Sequence, residues 1–257
     1  MRKLMAKWRA RTLALVFVLT SVIPATAETS VGSNIDSRVV LAFKVNDDAV
    51  QSMLPDRWVV LTLPKGPFAG TNLLVAFIDR HLALDPEGKP LAPHNRRSVA
   101  IVAYGVNPGF EGARMFVTRV YETPPVASSY DNGVAARISR DLAFSGPYEG
   151  ARNHRETWVV EPETGGTLNL SLAYQTGRPV WSKSETTPYS AANPDFHRIY
   201  RYEQLADLAM STALGRELVG EVTLQSSVPE LAEIFDGSEA LTGVLAIPVY
   251  TRDVFLP

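Results

Sequence analysis

The chain has 257 residues, 46% of them hydrophobic and 20% charged, with 17 Gly and 18 Pro, the balance of a globular core rather than of a disordered or fibrous protein. It contains no cysteine, which excludes thiol catalysis, disulfides, iron–sulfur clusters and cysteine-bound zinc. Basic and acidic residues nearly balance, 25 against 27, which argues against nucleic acid as a partner, because that needs a clustered basic face to displace counterions.

At the start of the chain, Arg2, Lys3, Lys7, Arg9 and Arg11 form a positive region, residues 13–23 are an apolar run closed by Pro24, and Ala25-Thr26-Ala27 is a small-x-small cleavage site. This is the pattern of a secretory signal peptide over residues 1–27. The apolar run falls short of the roughly 20 residues of a bilayer-spanning helix. The expected product is exported, to the periplasm or the medium, without stable membrane insertion, and carries 20 basic against 27 acidic residues. Residues 28–257 read as a single domain, with no linker and no internal repeat.

The expected elements then follow in order. A strand over 38–45 leads to a short helix capped by Asn46 or Asp47, running through Ala49, Val50, Met53 and Leu54 and stopped by Pro55. Strands are expected over 72–80, 98–105 and 114–122, separated by the turns Asp85-Pro86-Glu87-Gly88 and Asn107-Pro108-Gly109. A second helix is expected over 126–138. Strands over 156–161 and 167–174 flank Thr164-Gly165-Gly166, and the second shows the clearest alternation, with Leu168, Leu170, Leu172 and Tyr174 on one face. Strands over 179–185 and 197–202, a third helix over 204–214, and strands over 217–224 and 241–250 complete the chain. The sum is a mainly β fold with few peripheral helices, expected to form an antiparallel, closed or nearly closed β-barrel around a small-molecule cavity.

Three stretches have a further pattern. Phe43-Lys44-Val45 leads through Asp48 to Met53-Leu54-Pro55-Asp56-Arg57-Trp58 and the strand Leu73-Leu74-Val75-Ala76-Phe77. Arg119-Val120-Tyr121-Glu122 precedes the second expected helix, and Glu221-Val222-Thr223-Leu224 runs through Leu241 to Val249 near the end. In order and spacing these stretches resemble the acetoacetate decarboxylase-like superfamily, and the resemblance implies that fold. For the decarboxylases of the superfamily it also implies an imine-forming lysine in a segment of the type Gly-Arg-Glu-x-x-Gly-Phe-Pro-Lys. Gly215-Arg216-Glu217-Leu218-Val219-Gly220 echoes the start of that segment, nearer the C-terminus than in the family, but Glu221, Val222 and Thr223 follow, so the lysine position is empty.

An imine-forming lysine needs a neutral amine near pH 7. Past residue 27 the lysines are Lys44, Lys65, Lys89 and Lys183. Lys183 shares a strand face with Trp181 and Glu185, so it either points inward with Trp181 as a catalytic lysine or forms a solvent-facing pair with Glu185. Arg119 lies on an apolar strand face with Met115, Val117 and Tyr121. It reads as a carboxylate clamp, as an internal ion pair with Glu156 or Glu161, or as an outward arginine. Glu156 and Trp158 face one way, behind the basic cluster Arg152, His154 and Arg155, and Arg119, Glu156 and Trp181 are the candidate ligand-binding residues. The four histidines, His81, His94, His154 and His197, show no metal-ligand spacing, and no phosphate loop, dinucleotide fingerprint or nucleophile elbow occurs. No metal or cofactor is therefore expected. The leading reading is an exported small-molecule-binding protein or degenerate enzyme for a small carboxylate or partly apolar carbonyl compound. The alternatives are a lyase using Lys183 and an envelope interaction protein without ligand.

Overall fold

The computed structural model describes residues 28–123 and 129–257. The expected signal peptide and the first residues of the second expected helix lie outside the described residues. The elements are β1 (Thr29–Lys44), α1 (Asp47–Gln51), β2 (Val59–Val60), β3 (Leu73–Leu84), β4 (Arg96–Val106), β5 (Ala113–Thr123), β6 (Gly133–Ser145), β7 (Asn153–Pro162), β8 (Leu168–Gln175), β9 (Val180–Thr186), β10 (Pro188–Ser190), β11 (Ile199–Ser211), β12 (Gly220–Ser226) and β13 (Ala240–Leu256). Single 3-10 turns occupy Thr212–Leu214 and Pro229–Leu231. Asn46 caps α1, its side chain accepting the Asp48 N–H at 2.8 Å.

The strands form one sheet in the order β12-β8-β7-β6-β5-β4-β3-β1-β13-β11-β9, with β10 beside β5 and β2 beside β4. Two expectations need correction. The sheet is mixed, because β5 runs parallel to both β6 and β10, and its hydrogen-bonded path does not close into a barrel. It curls instead. One residue, Thr187, separates β9, the partner of β11, from β10, the partner of β5, so the chain itself spans the gap between the two ends of the curl.

Both faces of the central strands are covered, which explains their apolar character on both sides. Val39, Leu41, Phe77 and Ile101 face a core shared with Trp158, Val160, Leu170 and Leu172 from the β7–β8 part, which folds back over them. Phe77 meets Trp158 with ring centroids 5.5 Å apart. Val40, Ala76 and Ala100 face the other way, into the hollow of the curl.

The second and third expected helices are strands. Residues 133–145 form β6, where Ala136 and Ile138 are buried and Arg137 and Ser139 are exposed, a period of two rather than of 3.6. Residues 204–211 belong to β11 despite the strong helix formers Leu205, Ala206, Leu208, Ala209 and Met210. Pairing with β13 along the segment, and with β9 as far as Ala206, engages their backbone and overrides local propensity.

Gly32 sits at a register shift of β1 with φ +130°, where a Cβ would press into the Leu84 carbonyl oxygen. Replacing Gly32 by Ala is expected to destabilise the fold by about 1–3 kcal/mol. A chemical denaturation midpoint equal to that of the wild type would show that the β1–β3 ladder relaxes freely there.

Candidate functional site

The hollow of the curl holds a cavity of about 330 Å³, walled in turn by β10, β5, β4, β3, β1, β13 and β11. Its polar lining is dominated by guanidinium groups: Arg38 from β1, Arg80 from β3, Arg96 from β4, Arg198 just before β11, and Arg252 from β13. Arg38 is neutralised. Its Nε and Nη2 donate to the two oxygens of Asp36 at 2.5 and 2.9 Å, and its plane lies 3.4 Å from the centroid of the Tyr250 ring. Asn34 links this pair to Arg252, donating to Asp36 at 2.6 Å and accepting from Arg252 Nε at 2.7 Å. Arg252 in turn lies over Tyr200, whose hydroxyl meets that of Tyr130 at 2.5 Å.

Arg80, Arg96 and Arg198 are different. Among the described residues none of them forms an ion pair, and the Nε of each is buried without a hydrogen-bond partner. Burial pushes the Arg80 guanidinium down to about 10, with the charges of Arg252, Arg96 and Arg38 adding to the fall and Asp36 opposing it. Glu122 from β5 lines the same cavity with Oε1 buried and unpartnered. Burial raises its carboxyl above the ordinary range, against the pull of Arg96 and Arg80. Five guanidinium groups therefore face two carboxylates, those of Asp36 and Glu122, and the cavity has the donors and the field to receive an anion.

The four residues singled out in the sequence fall elsewhere. Lys183 is exposed on β9 and pairs with Glu203 at 2.5 Å, while Glu185 pairs with Arg201. An exposed, paired ammonium is not the desolvated amine that imine chemistry needs. Trp181, half exposed on the same edge strand, lines neither cavity. Arg119 pairs with Glu230 at 2.6 Å, on the face opposite the cavity. An extra residue, Thr118, lies between the pairs Val102↔Val117 and Ile101↔Arg119, and this bulge reverses the alternation. Met115 and Val117 thus stay toward the cavity while Val120 and Glu122 replace Arg119 and Tyr121 there.

Glu156 is fully buried beside a second, larger cavity of about 780 Å³ between the two halves of the sheet. Its Oε1 accepts from Arg140 Nε at 2.7 Å and Trp158 Nε1 at 2.6 Å, and its Oε2 meets His154 Nε2 at 2.8 Å. Arg140 also donates to Ser37 at 2.7 Å and to Asp79 at 3.2 Å. Burial alone would raise the Glu156 carboxyl. The His154 hydrogen bond, the Arg140 charge and the Trp158 hydrogen bond outweigh it and hold the group below the ordinary carboxylate range. Both oxygens are thus engaged by protein, and Glu156 orients His154.

The arginines of the first cavity left a signal that was passed over. Leu74, Ala76, Ile78 and Arg80 share one face by alternation, as do Arg96, Ser98, Ala100 and Val102, each an apolar face ending in a charge. Only the curl, which brings those strand ends together, turns separate arginines into a cluster.

No protein-family model matches the sequence, and no curated protein does. Solved structures do. The enduracididine biosynthesis enzyme MppR complexed with pyruvate superposes with a TM-score of 0.56 at 11% identity, covering 91% of this chain and 91% of that one. An acetoacetate decarboxylase-like enzyme from Sphingomonas wittichii RW1 superposes with a TM-score of 0.54 at 11% identity, covering 93% and 96%. The chain has the acetoacetate decarboxylase-like fold that its sequence resembles.

Because Glu156 titrates below its unfolded value, its contribution is full above the unfolded carboxylate range and disappears as pH falls through the lower folded value. Glu156→Gln should therefore cost about 3–5 kcal/mol at pH 7 and progressively less in acid. Parallel urea melts of both proteins across that range check this, and a pH-independent difference would contradict it.

Proposed function

We propose that the protein is an exported binding protein for a small carboxylate held in the arginine-lined cavity. The observation that carries this reading is the set of half-buried guanidinium groups of Arg80, Arg96 and Arg198, each with a buried Nε and with no ion pair among the described residues, around an interior space of about 330 Å³. A carboxylate offers the planar, two-oxygen geometry that guanidinium donors match, and the volume lies at the small end of ligand pockets. Asp36 is already committed to Arg38 and Asn34, so a di- or tricarboxylate suits the remaining charge better than a monocarboxylate. MppR was solved with pyruvate, a small carboxylate, which supports the ligand class.

The lyase alternative draws support from the fold, since the neighbours named above are enzymes, but fold alone does not carry activity. Among the described residues no lysine lines either cavity, which favours binding over imine chemistry. An envelope protein without ligand would have little reason to keep charge around an open interior.

Calorimetric titration with pyruvate, succinate and citrate, with succinamide as the neutral control, tests the reading. Affinity should rise with the number of carboxylates and fall with added salt. Arg80→Gln should weaken the tightest of them about tenfold or more. Absence of heat with every acid would remove the proposal, and a borohydride-trapped adduct of pyruvate on Lys183 would restore the lyase.

Export follows from the signal-peptide pattern of residues 1–27. A cut between Ala27 and Glu28 would leave the β1–β13 ladder whole from Thr29↔Leu256 onward, together with the Glu28–Arg201 ion pair at 2.7 Å. Intact mass of the protein from a periplasmic or medium fraction should begin at Glu28. Retention in the cytoplasm with residues 1–27 attached would overturn export.

A further inference from the structure

We propose that the cavity between the two halves of the sheet is a second site, at which His154 acts as a general base on a carbonyl compound bearing a carboxylate and an apolar arm. This inference is independent of the arginine-lined cavity. It begins with the ring. Ionised Glu156 accepts the proton of His154 Nε2 at 2.8 Å, which leaves the lone pair on Nδ1. Phe144 meets the imidazole edge-on at 4.7 Å and Tyr174 lies against it at 4.9 Å, so the ring is fixed in plane and position. A carboxylate that orients a histidine, itself held by two further donors, is the arrangement used to prepare a base.

A histidine serving structure alone is expected to have both nitrogens engaged by protein. Here Nδ1 has no hydrogen-bond partner among the described residues, yet it is not among the buried orphan atoms, and His154 lines a cavity of about 780 Å³. Leu142, Phe144 and Ile247 give that cavity an apolar wall, and Arg152, which forms no ion pair among the described residues, also lines it. A ligand with an apolar arm and a carboxylate matches both, and a carbonyl between them would acidify the adjacent C–H enough for such a base to act on it.

The step needs no further reagent. Nδ1 takes a proton from the carbon next to the carbonyl, the C–H electron pair becomes the C=C bond of an enolate, and the carbonyl π pair moves to oxygen. The imidazolium is stabilised by Glu156 and the ligand's negative charge by Arg152. Return of a proton to carbon restores the ligand, and in D₂O that proton is a deuteron.

The experiment follows the methylene signal of benzylpyruvate by proton NMR in D₂O with full-length mature protein. The wild type should exchange that position about a hundredfold faster than buffer, and His154→Gln, checked for folding by circular dichroism, should return it to the buffer rate. Lys183→Ala should keep the wild-type rate, which separates base catalysis from exchange through an imine. Arg152→Gln, on the exposed hairpin, should raise the half-saturating concentration and lower the maximal rate, each several-fold. A wild-type rate equal to buffer overturns the proposal, as does a folded His154→Gln protein that exchanges like the wild type. Exchange lost in Lys183→Ala would assign the chemistry to the amine instead.

Discussion

A guanidinium removed from water without a carboxylate partner is costly, and the interior of this curled sheet holds more guanidinium than carboxylate. Among the described arginines of the smaller cavity, Arg38 alone has a full counter-charge, from Asp36. Arg80 and Arg96 are brought in by the ends of otherwise apolar strand faces, and Arg198 by the residue just before β11, so the same alternation that builds the core also carries positive charge into the hollow. Water can solvate part of that charge, but an anion does so more completely. An anion bound there would stabilise the folded chain by mass action, which would tie the stability of the curl to the chemistry of that anion.

The tripeptide Asp36-Ser37-Arg38 is where the two cavities touch. Arg38, held by Asp36, lines both cavities, while Ser37 lines the larger one, accepting from Arg140 and meeting His81 at 3.2 Å. The register shift between Asp36 and Arg38 in the β1–β13 ladder falls at the same residues. A bulge in a central strand costs ladder hydrogen bonds, and it persists where neighbouring contacts fix it. Here an ion pair fixes it from one side and the Arg140 network from the other. The central strand thus serves both interiors with consecutive side chains.

Much of the fold was legible because period-two alternation survives in the sequence. Leu168 to Tyr174 shows one buried face without help from context, and the strands around it were placed within a few residues. Residues 204–211 were not legible, because their helix-forming side chains are overruled by pairing with β13, and up to Ala206 also with β9, which the local sequence does not contain. Arg119 failed for a subtler reason. A charge on an apolar face must find a partner, and here it is Glu230 rather than Glu156 or Glu161, because the Thr118 bulge turns Arg119 to the other face. Glu156 was chosen for the face it shares with Trp158. It is buried beside a cavity, and its contact with His154 at 2.8 Å is not visible in the basic cluster where His154 stands in the sequence.

The empty lysine position gains physical meaning once the cavity is seen. A neutral amine beside several unpaired guanidinium groups would be favoured electrostatically, since each neighbouring cation opposes its protonation, so this hollow would suit imine chemistry if a lysine entered it. Among the described residues none does. What the cavity retains instead is Glu122, raised by burial and pulled down by Arg96 and Arg80. An anion that takes those two arginines as partners adds its own negative charge beside Glu122, so that burial and repulsion act together to favour the protonated acid. Uptake of an anion would therefore be linked to uptake of a proton in this interior by the same two guanidinium groups.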